Sequence, residues 1–337
     1  MKLPADRVKQ LRSFYEDRPV CVTGGAGFIG GHLVDTLLGC GAIVSVIDDL
    51  SNSTLEHLGT LLEFEPARMR FVHGSILDDE ALSEAVRGCK TVFHLAAIGS
   101  VPRSIEDPRR SFAVNATGTL RVLSAARSHK VQRLVFSSSS SVYGDEVALP
   151  KVETSPPRPM SPYAASKVAA EHLVSAWSHS YGLSGVSLRF FNVFGPRQSA
   201  ESEYSAVVAA FASRLLNGES PQIYGDGMNS RDFTFVGNAV LATLLAGATD
   251  RALKGEVINV GTGHRTDVAR LATMMAEAVG RPHLKPTLHP GRVGDVRHSQ
   301  ADLGRARELL GYEAVTKLED GLRETMEWYR SHAEAKR

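Results

Sequence analysis

A tyrosine and a lysine four residues apart are the side chains of this sequence that point most directly to chemistry. Tyr163 and Lys167 belong to the segment SPYAASK (161–167), which leads into the helical pattern VAAEHLVSAW. On a helix, residues four apart lie on one face. A free phenol has a pKa of about 10, and a neighbouring ammonium group favours its phenolate. The pair is therefore predicted to form a general base, although an amphipathic surface helix could carry the same two residues as mere neighbours.

A second chemical signal lies near the N terminus, where three glycines follow an apolar segment. Gly24, Gly27 and Gly30 have the spacing GxxGxxG and precede the helical pattern HLVDTLL. Small residues permit a tight turn, and the start of a helix offers N–H groups and a positive dipole end to a pyrophosphate. Asp48 ends the next apolar segment, where a carboxylate binds ribose hydroxyls and repels a 2′-phosphate. This order predicts an NAD site rather than an NADP site; the alternative is a glycine-rich turn before an acidic strand end.

Seven apolar segments rich in Val, Ile and Phe alternate with longer helical patterns, and they must position these residues. Continuously apolar strands separated by helices predict a doubly wound α/β fold, in which helices cover both faces of a parallel sheet. The serine run 137–141 continues the fifth segment, so we expect it at the carboxyl end of a strand, where such sheets bind ligands. The predicted strands are 20–24, 42–48, 70–74, 91–96, 133–138, 186–191 and 256–261.

The chain changes character at about residue 192, where glycine and proline begin to interrupt it. Only the segment EVINVG (256–261) is expected to rejoin the sheet after that point. We therefore predict a smaller C-terminal substrate-binding cap domain. The expected divisions are an N-terminal leader (1–18), a cofactor domain (19–191 with roughly 232–262) and a substrate domain (192–231 with 263–337).

The composition restricts the kind of protein and partner. Of 337 residues, 43% are hydrophobic and 22% are charged, which is typical of a soluble globular protein. The formal charge of +1 gives no broad basic field for nucleic acid or an anionic membrane, so we expect a small-molecule partner. The cysteines lack CxxC spacing and the histidines lack HExxH spacing, so free thiols and no metal are predicted. With no signal-peptide pattern and no apolar run of membrane-spanning length, cytoplasmic residence is the default expectation.

Several motifs together resemble the extended short-chain dehydrogenase/reductase family, the NAD-dependent epimerases and dehydratases, from about residue 20 to 329. The resemblance implies a Rossmann fold, NAD as cofactor, a UDP-sugar as substrate and a homodimer in which helices within 107–129 and the Tyr163 helix pack together. Within the family, the chain is similar to bacterial UDP-N-acetylglucosamine 4-epimerases, which invert C4 through a transient 4-keto sugar. The motifs are GGAGFIG, the serine run with VYGD, SPYAASK, RFFNVFGP, YGDGMNSRDF and RVGDVRHSQAD.

The resemblance also implies roles for individual residues. It makes Ser139 the catalytic hydroxyl, Tyr163 the base and Lys167 the residue that tunes the base and holds the nicotinamide ribose. The cofactor residues that it implies are Gly24, Gly27, Phe28, Ile29, Gly30, Asp48, Asp49, Ser75, Ile76, Leu95, Ala96, Ala97, Asn115, Tyr163 and Lys167. The substrate residues that it implies are Ser100, Arg103, Ser139, Ser140, Asn192, Gln198, Tyr204, Arg231, Arg292, Asp295 and Ser299.

Two serines stand where other members of the family can have a different residue, one at the sugar and one at the adenine of the cofactor. Ser299 stands where related UDP-glucose enzymes can have a bulky tyrosine, so the resemblance implies room for an N-acetyl group; an ordinary polar surface position is the alternative. Ser75 stands where the family often has an aspartate that bonds the adenine amine, and a serine would make that contact more weakly.

Other activities of the same fold remain open. Epimerisation of UDP-glucose or of a UDP-uronic acid, UDP-GlcA or UDP-GlcNAcA, fits the same motifs, with Arg103 receiving a C6 carboxylate. A 4,6-dehydratase is disfavoured, since it needs an acidic pair beside the catalytic hydroxyl and this chain has Ser140 and Ser141 there. A non-catalytic NAD-binding regulatory protein is disfavoured because Ser139, Tyr163 and Lys167 are all present.

Overall fold

A computed structural model describes residues 4–146, 148–199, 206–291 and 296–335 of the chain. Its central feature is a parallel sheet of seven strands, which confirms the predicted doubly wound α/β fold. The strands are β1 (Pro19–Thr23), β2 (Ile43–Asp48), β3 (Met69–His73), β4 (Thr91–His94), β5 (Arg133–Ser139), β6 (Ser184–Phe190) and β11 (Lys254–Val260). Their order across the sheet is β3-β2-β1-β4-β5-β6-β11.

Three small two-stranded units accompany the C-terminal half of the chain. Two of them are parallel and one is antiparallel. They pair β7 (Val193–Phe194) with β10 (Thr234–Phe235), β8 (Gln222–Tyr224) with β13 (Thr287–His289), and β9 (Ser230–Arg231) with β12 (Thr266–Asp267).

Helices cover both faces of the large sheet. A π-helical turn (Ala113–Thr117) lies between α6 and α7, and a 3₁₀ turn (Ser140–Tyr143) follows β5 directly. The α-helices are α1 (Ala5–Tyr15), α2 (Phe28–Gly39), α3 (Glu56–Phe64), α4 (Asp79–Val86), α5 (Val101–Glu106), α6 (Pro108–Phe112), α7 (Gly118–Ser128), α8 (Pro162–Tyr181), α9 (Val207–Leu216), α10 (Val236–Ala248), α11 (Val268–Ala278), α12 (Gly304–Leu310) and α13 (Leu318–Ala335).

The core has two parts, one on each face of the sheet. In β1, Val20 and Val22 belong to one apolar cluster and Cys21 belongs to the other. The first cluster includes buried residues of α1, α2 and α10, and the second includes residues of α4, α7 and α8. Because β1 to β5 supply buried apolar side chains to both faces, these strands read as continuously apolar segments in the sequence.

The N-terminal helix packs onto the domain that follows it. The Tyr15 hydroxyl of α1 donates to the Leu244 carbonyl of α10 at 2.7 Å, and Leu11 is fully buried. The residues of α10 from Val236 to Gly247 are all buried, so the longest apolar run of the sequence is a core helix. Within the described ranges, no helix is both long and apolar enough to cross a membrane. Cys21, Cys40 and Cys89 are free thiols, as predicted, and all three are buried.

Candidate active site

The glycine loop between β1 and α2 is packed tightly, both within itself and against the backbone that follows β4. Gly24 has a φ of +71°, and a Cβ there would lie 2.7 Å from the Ala96 Cα, after β4. A Cβ on Gly30 would lie 2.1 Å from the Gly24 carbonyl oxygen. Only glycine fits these two positions, because Gly24 has a left-handed backbone conformation and Gly30 has no space for a side chain.

The start of α2 has the features that a bound pyrophosphate requires. Gly27 is the N-cap, and it makes no side-chain cap hydrogen bond. The Ala26 N–H donates to Asp48 Oδ2 at 3.0 Å, while Asp48 Oδ1 accepts from Leu50 N and the Ser53 hydroxyl at 2.9 and 3.0 Å. The carboxylate thus ties the glycine loop to the end of β2. An uncapped helix terminus beside a small-residue loop and a carboxylate fits the dinucleotide expected from the sequence.

Asn115 joins the segment after β4 to helix α8. Its Oδ1 accepts from Ile98 N at 2.8 Å, and its Nδ2 donates to the Ile98 carbonyl and to Ser166 Oγ at 3.2 and 3.0 Å. The residue lies in the π-helical turn between α6 and α7, within the stretch 107–129 that the sequence predicts to be helical. Such turns occur frequently at functional sites. The half-buried neighbours Leu95, Ala96 and Ala97 follow β4 at the same edge of the sheet.

The remaining predicted cofactor residues lie just after β2 and β3 and in the first turn of α2. Ile76 is buried, and a Cβ on Gly118 of α7 would lie 2.5 Å from its Cδ1. Ser75 Oγ accepts from Leu77 N at 3.2 Å, and Asp49 is exposed. The described contacts give Ile76 a packing role and make Ser75 part of a turn. Phe28 and Ile29 are half-buried in the first turn of α2.

Ser139 and Tyr163 come from different elements, and their side-chain hydroxyls lie close enough to interact. Ser139 is the last residue of β5, and its Oγ also accepts from Ser141 N at 3.2 Å. Tyr163 lies in the first turn of α8, where Ser161 caps the helix by accepting from Ala164 N. The Tyr163 N–H donates to Ser104 Oγ of α5 at 3.1 Å. The strand end and the helix start therefore bring two hydroxyls together.

Lys167 is buried one turn after Tyr163. Its Nζ donates to the Ser137 carbonyl of β5 at 2.8 Å. The same Nζ lies 4.8 Å from the centroid of the Phe136 ring and 5.9 Å from that of the Tyr163 ring. The lysine is thus held beside the phenol, as its spacing predicts.

Burial dominates the acidity of both groups. It raises the pKa of Tyr163, although the neighbouring Ser139 hydroxyl lowers it in part. Burial also lowers the pKa of Lys167 to about 7, although the Glu171 carboxylate raises it. The expectation that the ammonium of Lys167 favours the phenolate stays a prediction, and the structure adds burial as the larger influence on the pKa of Tyr163. Desolvation penalises both charged forms more than these neighbours stabilise them.

A buried polar network lies beside the catalytic candidates, between α8 and the strands β5 and β6. Glu171 accepts from Ser138 Oγ at 2.5 Å through Oε1, and from Arg189 at 2.9 Å (Nε to Oε1) and 2.8 Å (Nη2 to Oε2). The Arg189 guanidinium lies 4.5 Å from the centroid of the Tyr143 ring, and the Tyr143 hydroxyl donates to Asn259 Oδ1 at 2.6 Å. Sequence reasoning did not identify these residues. Two signals were available, a charged residue inside the apolar segment VSLRFF and an acid one helical turn after Lys167.

The described candidates for substrate contact fall into two groups. Arg231 and Ser299 are close together, because the Ser299 N–H donates to the Ser230 carbonyl at 3.0 Å. Ser299 is 8% exposed, and the Arg231 Nη1 donates to the Ser230 carbonyl at 3.0 Å. Asn192 is exposed just after β6, and Gln198 Nε2 donates to the Val193 carbonyl at 3.2 Å.

The second group belongs to α5 and the turn after β5. Ser100 caps α5 by accepting from Arg103 N at 3.3 Å, and the exposed Arg103 donates to Asn52 Oδ1 at 2.7 Å. Ser140 begins the 3₁₀ turn after Ser139. The predicted residues Tyr204, Arg292 and Asp295 lie outside the described residues. In the described part of the chain, no group of three or more His, Cys, Asp or Glu side chains is arranged to hold a metal ion.

Comparison with known proteins agrees with this geometry. The NAD dependent epimerase/dehydratase family matches residues 20–261. A UDP-glucose 4-epimerase of Mycolicibacterium smegmatis is 42% identical over 316 residues, covering 93% of this chain and 99% of its own. A dTDP-glucose 4,6-dehydratase of Actinoplanes sp. is 34% identical and covers 93% of this chain and 98% of its own. The structure of UDP-N-acetylglucosamine 4-epimerase from Methanobrevibacter ruminantium M1, in complex with UDP-N-acetylmuramic acid, aligns with a TM-score of 0.88 at 37% identity, covering 94% of this chain and 99% of that one.

Proposed function

The chain belongs to the NAD-dependent epimerase/dehydratase family, and from this premise we propose that it is a UDP-hexose 4-epimerase that acts preferentially on UDP-GlcNAc and UDP-GalNAc. The observation that carries the proposal is the placement of the Tyr163 hydroxyl beside that of Ser139, with Lys167 one turn away and bonded to Ser137 of the same strand. These groups and the uncapped start of α2 both follow the carboxyl ends of sheet strands. A base and a dinucleotide site at one edge of the sheet are what reversible oxidation of a sugar hydroxyl requires.

The residues present fit NAD. In the proposed complex, the glycine loop and the first turn of α2 hold the pyrophosphate, Asp48 binds the adenosine ribose and Lys167 holds the nicotinamide ribose. When bound there, NAD supplies reversible oxidation of the C4 carbinol to a 4-keto sugar. The left-handed Gly24 and the close approach of Gly30 to Gly24 support this assignment, because they keep the loop free of side chains.

The three polar residues then divide the proton chemistry among them. Tyr163 accepts the proton of the C4 hydroxyl, directly or through Ser139, and returns it to the same oxygen after inversion. Ser139 orients the sugar hydroxyl and stabilises the phenolate by donating to it. Lys167 supplies positive charge beside the phenol. Burial lowers the pKa of Lys167 to about 7, and the Glu171 carboxylate opposes that change by favouring the charged form.

We assign the nucleotide sugar to the C-terminal segments. In this proposal Arg231 and Arg292 clamp the diphosphate, for which a planar cation is suited, and Asp295 binds the uridine ribose. Asn192, Gln198, Tyr204, Ser100, Arg103 and Ser140 complete the predicted contacts. Anchoring at the nucleotide lets the sugar turn over in the site while the labile ketone stays bound.

The corresponding domains are 19–191 with 232–262 for NAD and 192–231 with 263–337 for the sugar nucleotide, preceded by the segment 1–18. The seven-stranded sheet supports the first domain, because every one of its strands falls within those limits. The Asn192 carbonyl and the Thr234 N–H, which bond at 3.0 Å, lie close to two of these proposed boundaries.

The preference for an acetamido sugar rests on Ser299. A side chain as small as serine, held beside Arg231 through Ser230, leaves more volume than a tyrosine would at the same position. UDP-glucose remains the alternative substrate, and the sequence identity between this chain and a UDP-glucose 4-epimerase favours it. A UDP-uronic acid would require a cation at C6, for which the exposed Arg103 is the candidate.

Dehydration is not our proposal, although a 4,6-dehydratase is among the relatives. Elimination of water needs an acid and a base beside the catalytic hydroxyl. In this chain Ser139 is followed by Ser140, Ser141 and Val142 in the 3₁₀ turn, none of which ionises near neutral pH.

We also propose a homodimer formed through the helices beside α8. Ile105 and Phe112, on the short helices α5 and α6, are 64% and 48% exposed. Apolar side chains so exposed are often covered by a partner. Sedimentation of the wild type and of Phe112→Glu tests this, since a wild-type monomer would contradict the dimer.

Separate incubations with UDP-GlcNAc, UDP-glucose and UDP-GlcA, followed by resolution of the C4 isomers, test the function. We expect the acetamido sugar to turn over with the highest kcat/KM and Tyr163→Phe to abolish turnover. Conversion of UDP-glucose without conversion of UDP-GlcNAc would overturn the specificity. Unchanged activity of Tyr163→Phe would overturn the enzyme mechanism.

A further inference from the structure

The most unusual buried group outside the three catalytic side chains is an ion pair. Arg189 and Glu171 have side chains that are 3% and 5% exposed, and they form two hydrogen bonds to each other. Removing two charges from water costs more than most such pairs return in folding stability. A buried pair at this place therefore calls for an explanation other than stability.

The pair connects the elements that carry the catalytic side chains. Glu171 belongs to α8, one turn after Lys167, and Arg189 belongs to β6. Ser138 of β5 is paired with Arg189 across the two strands and donates to Glu171 at 2.5 Å. Ser138 directly precedes Ser139, so the contact acts on the strand end that holds the catalytic hydroxyl.

Lys167 makes a parallel contact one residue earlier on the same strand, with the Ser137 carbonyl. Helix α8 is thus held to two consecutive residues of β5, Ser137 through Lys167 and Ser138 through Glu171. These two contacts fix the rotation and the height of α8 relative to β5. Since Tyr163 lies one turn before Lys167, they also set where its phenol meets Ser139.

The far side of Arg189 reaches the turn that follows Ser139. Its guanidinium lies over the Tyr143 ring, at 4.5 Å from the centroid, and Tyr143 is the last residue of the 3₁₀ turn. The network therefore bounds Ser139 on both sides, through Ser138 before it and Tyr143 after it.

We propose that Glu171 is a positioning residue of the reaction: its carboxylate joins Ser138 and Arg189, fixes α8 against the end of β5, and presents a negative charge to Lys167 from one turn along the helix. This inference rests on the proposed function, because it assigns Glu171 to the base that acts on the sugar. It predicts that Glu171 governs how Lys167 titrates and how well Tyr163 is placed, without touching the substrate.

The groups that face Lys167 belong to three elements. In the described part of the structure they are Tyr163 and Glu171 on α8, His94 on β4, and Arg189 on β6, which reaches the lysine only through Glu171. His94 is held neutral between Thr23 and Thr119 by hydrogen bonds of 2.7 and 2.9 Å, and burial lowers its pKa to about 3. Glu171 is therefore the carboxylate that favours the charged form of Lys167.

The first test measures Lys167 itself and does not depend on turnover. Protein labelled with carbon-13 at the lysine Cε is titrated by NMR, with Lys167→Met to assign the signal. In Glu171→Gln we expect the midpoint of the Lys167 titration to fall by about one pH unit, because the negative charge of the Glu171 carboxylate is lost. Glu171→Asp keeps the charge, so its midpoint should stay near that of the wild type.

Two further variants separate this role from a role in folding. Glu171→Gln leaves Arg189 buried without a counterion, so Glu171→Gln with Arg189→Met provides a second variant that carries no unpaired charge. Val174→Ala is the control, because Val174 is also fully buried on α8 but is apolar. We expect the double variant to fold with a lowered Lys167 midpoint and Val174→Ala to keep the wild-type midpoint.

Kinetics with the UDP-sugar form the second test. We expect Glu171→Gln to lose about tenfold in kcat with KM nearly unchanged. The alkaline limb of its pH profile of kcat should move to lower pH. An unchanged Lys167 midpoint in the folded variants would overturn the proposal, as would a double variant that cannot fold. If the wild type turns over no UDP-sugar, the proposed function fails, whereas the titration still decides whether Glu171 controls Lys167.

Discussion

Lys167 and Glu171 lie one helical turn apart on α8, and each bonds to one of two consecutive serines at the end of β5. The lysine donates to the Ser137 carbonyl at 2.8 Å, and the glutamate accepts from the Ser138 hydroxyl at 2.5 Å. These two hydrogen bonds hold α8, which carries Tyr163, against the end of β5, which carries Ser139. The position of the Tyr163 hydroxyl relative to Ser139 depends on both bonds.

Loss of the two hydroxyls should have unequal effects. Tyr163→Phe removes the base and should reduce kcat by at least about a thousandfold, whereas Ser139→Ala removes an orienting donor and should cost about a hundredfold. Both variants should retain NAD and unfold within a few degrees of the wild type. Tyr181→Phe, at the exposed end of the same helix, is the matched control and should keep full activity. Equal activities for Tyr163→Phe and the control would contradict the assignment.

The buried lysine predicts a pH dependence of folding. Burial lowers the pKa of Lys167 to about 7 in the folded chain, while the unfolded chain has the ordinary lysine value of about 10.4. Between those two values the unfolded state binds more protons, so the free energy of unfolding should rise with pH, by at most about 1.4 kcal/mol per unit.

Denaturant unfolding of the cofactor-free protein at pH values from neutral to alkaline measures this slope. Lys167→Met should flatten it, because the methionine cannot titrate. Lys90→Met changes an exposed lysine and should leave the slope unchanged. A wild-type slope that Lys167→Met does not alter would contradict the lowered pKa.

The strands of the large sheet could be predicted from the sequence to within a few residues, whereas the short paired strands of the C-terminal half were not predicted. The seven apolar segments correspond to the seven strands of the sheet, and SPYAASK does open a helix. These features depend on local sequence, namely continuously apolar strands and a serine N-cap before proline. The serine run ends β5 as expected, since Ser139 is its last residue.

What could not be predicted depends on contacts between distant residues. The pairing of Glu171 with Arg189 requires that β6 lie beside β5 in a particular register, which no spacing in the sequence specifies. The acidity of Lys167 likewise depends on how completely its neighbours exclude water, and the burial that raises the pKa of Tyr163 is not specified by any local pattern in the sequence. Asn115, in the π-helical turn, bonds to Ile98 and Ser166, which belong to other segments of the chain, so these contacts also depend on the assembled fold.

Two glycines of α2 should respond in opposite ways to alanine. A Cβ on Gly30 would lie 2.1 Å from the Gly24 carbonyl oxygen, so Gly30→Ala must displace the glycine loop and weaken NAD binding by at least about a hundredfold. Gly39, at the end of the same helix, has no atom within 4 Å of an added Cβ. Gly39→Ala should therefore stabilise the protein by about 0.5–1 kcal/mol.

Calorimetric titration with NAD and denaturant unfolding compare the two glycine variants. Because both changes add one methyl group to one helix, differences between them report the surroundings of each glycine. Normal NAD affinity in Gly30→Ala would show that the loop tolerates a side chain, and the proposed pyrophosphate site would be wrong.

The substrate preference should change with the volume at residue 299. Ser299 is 8% exposed and is held by its backbone to Ser230, the neighbour of Arg231. A tyrosine there should fill the space that we propose for the acetamido group and should clash only with the larger sugar. Ser299→Tyr is therefore expected to lower kcat/KM for UDP-GlcNAc by at least about a hundredfold while UDP-glucose loses less than about threefold. Ser299→Ala, which keeps the space, should leave the ratio near that of the wild type. Equal losses for both substrates in Ser299→Tyr would mean that the side chain disturbs Arg231 and the diphosphate rather than the sugar pocket.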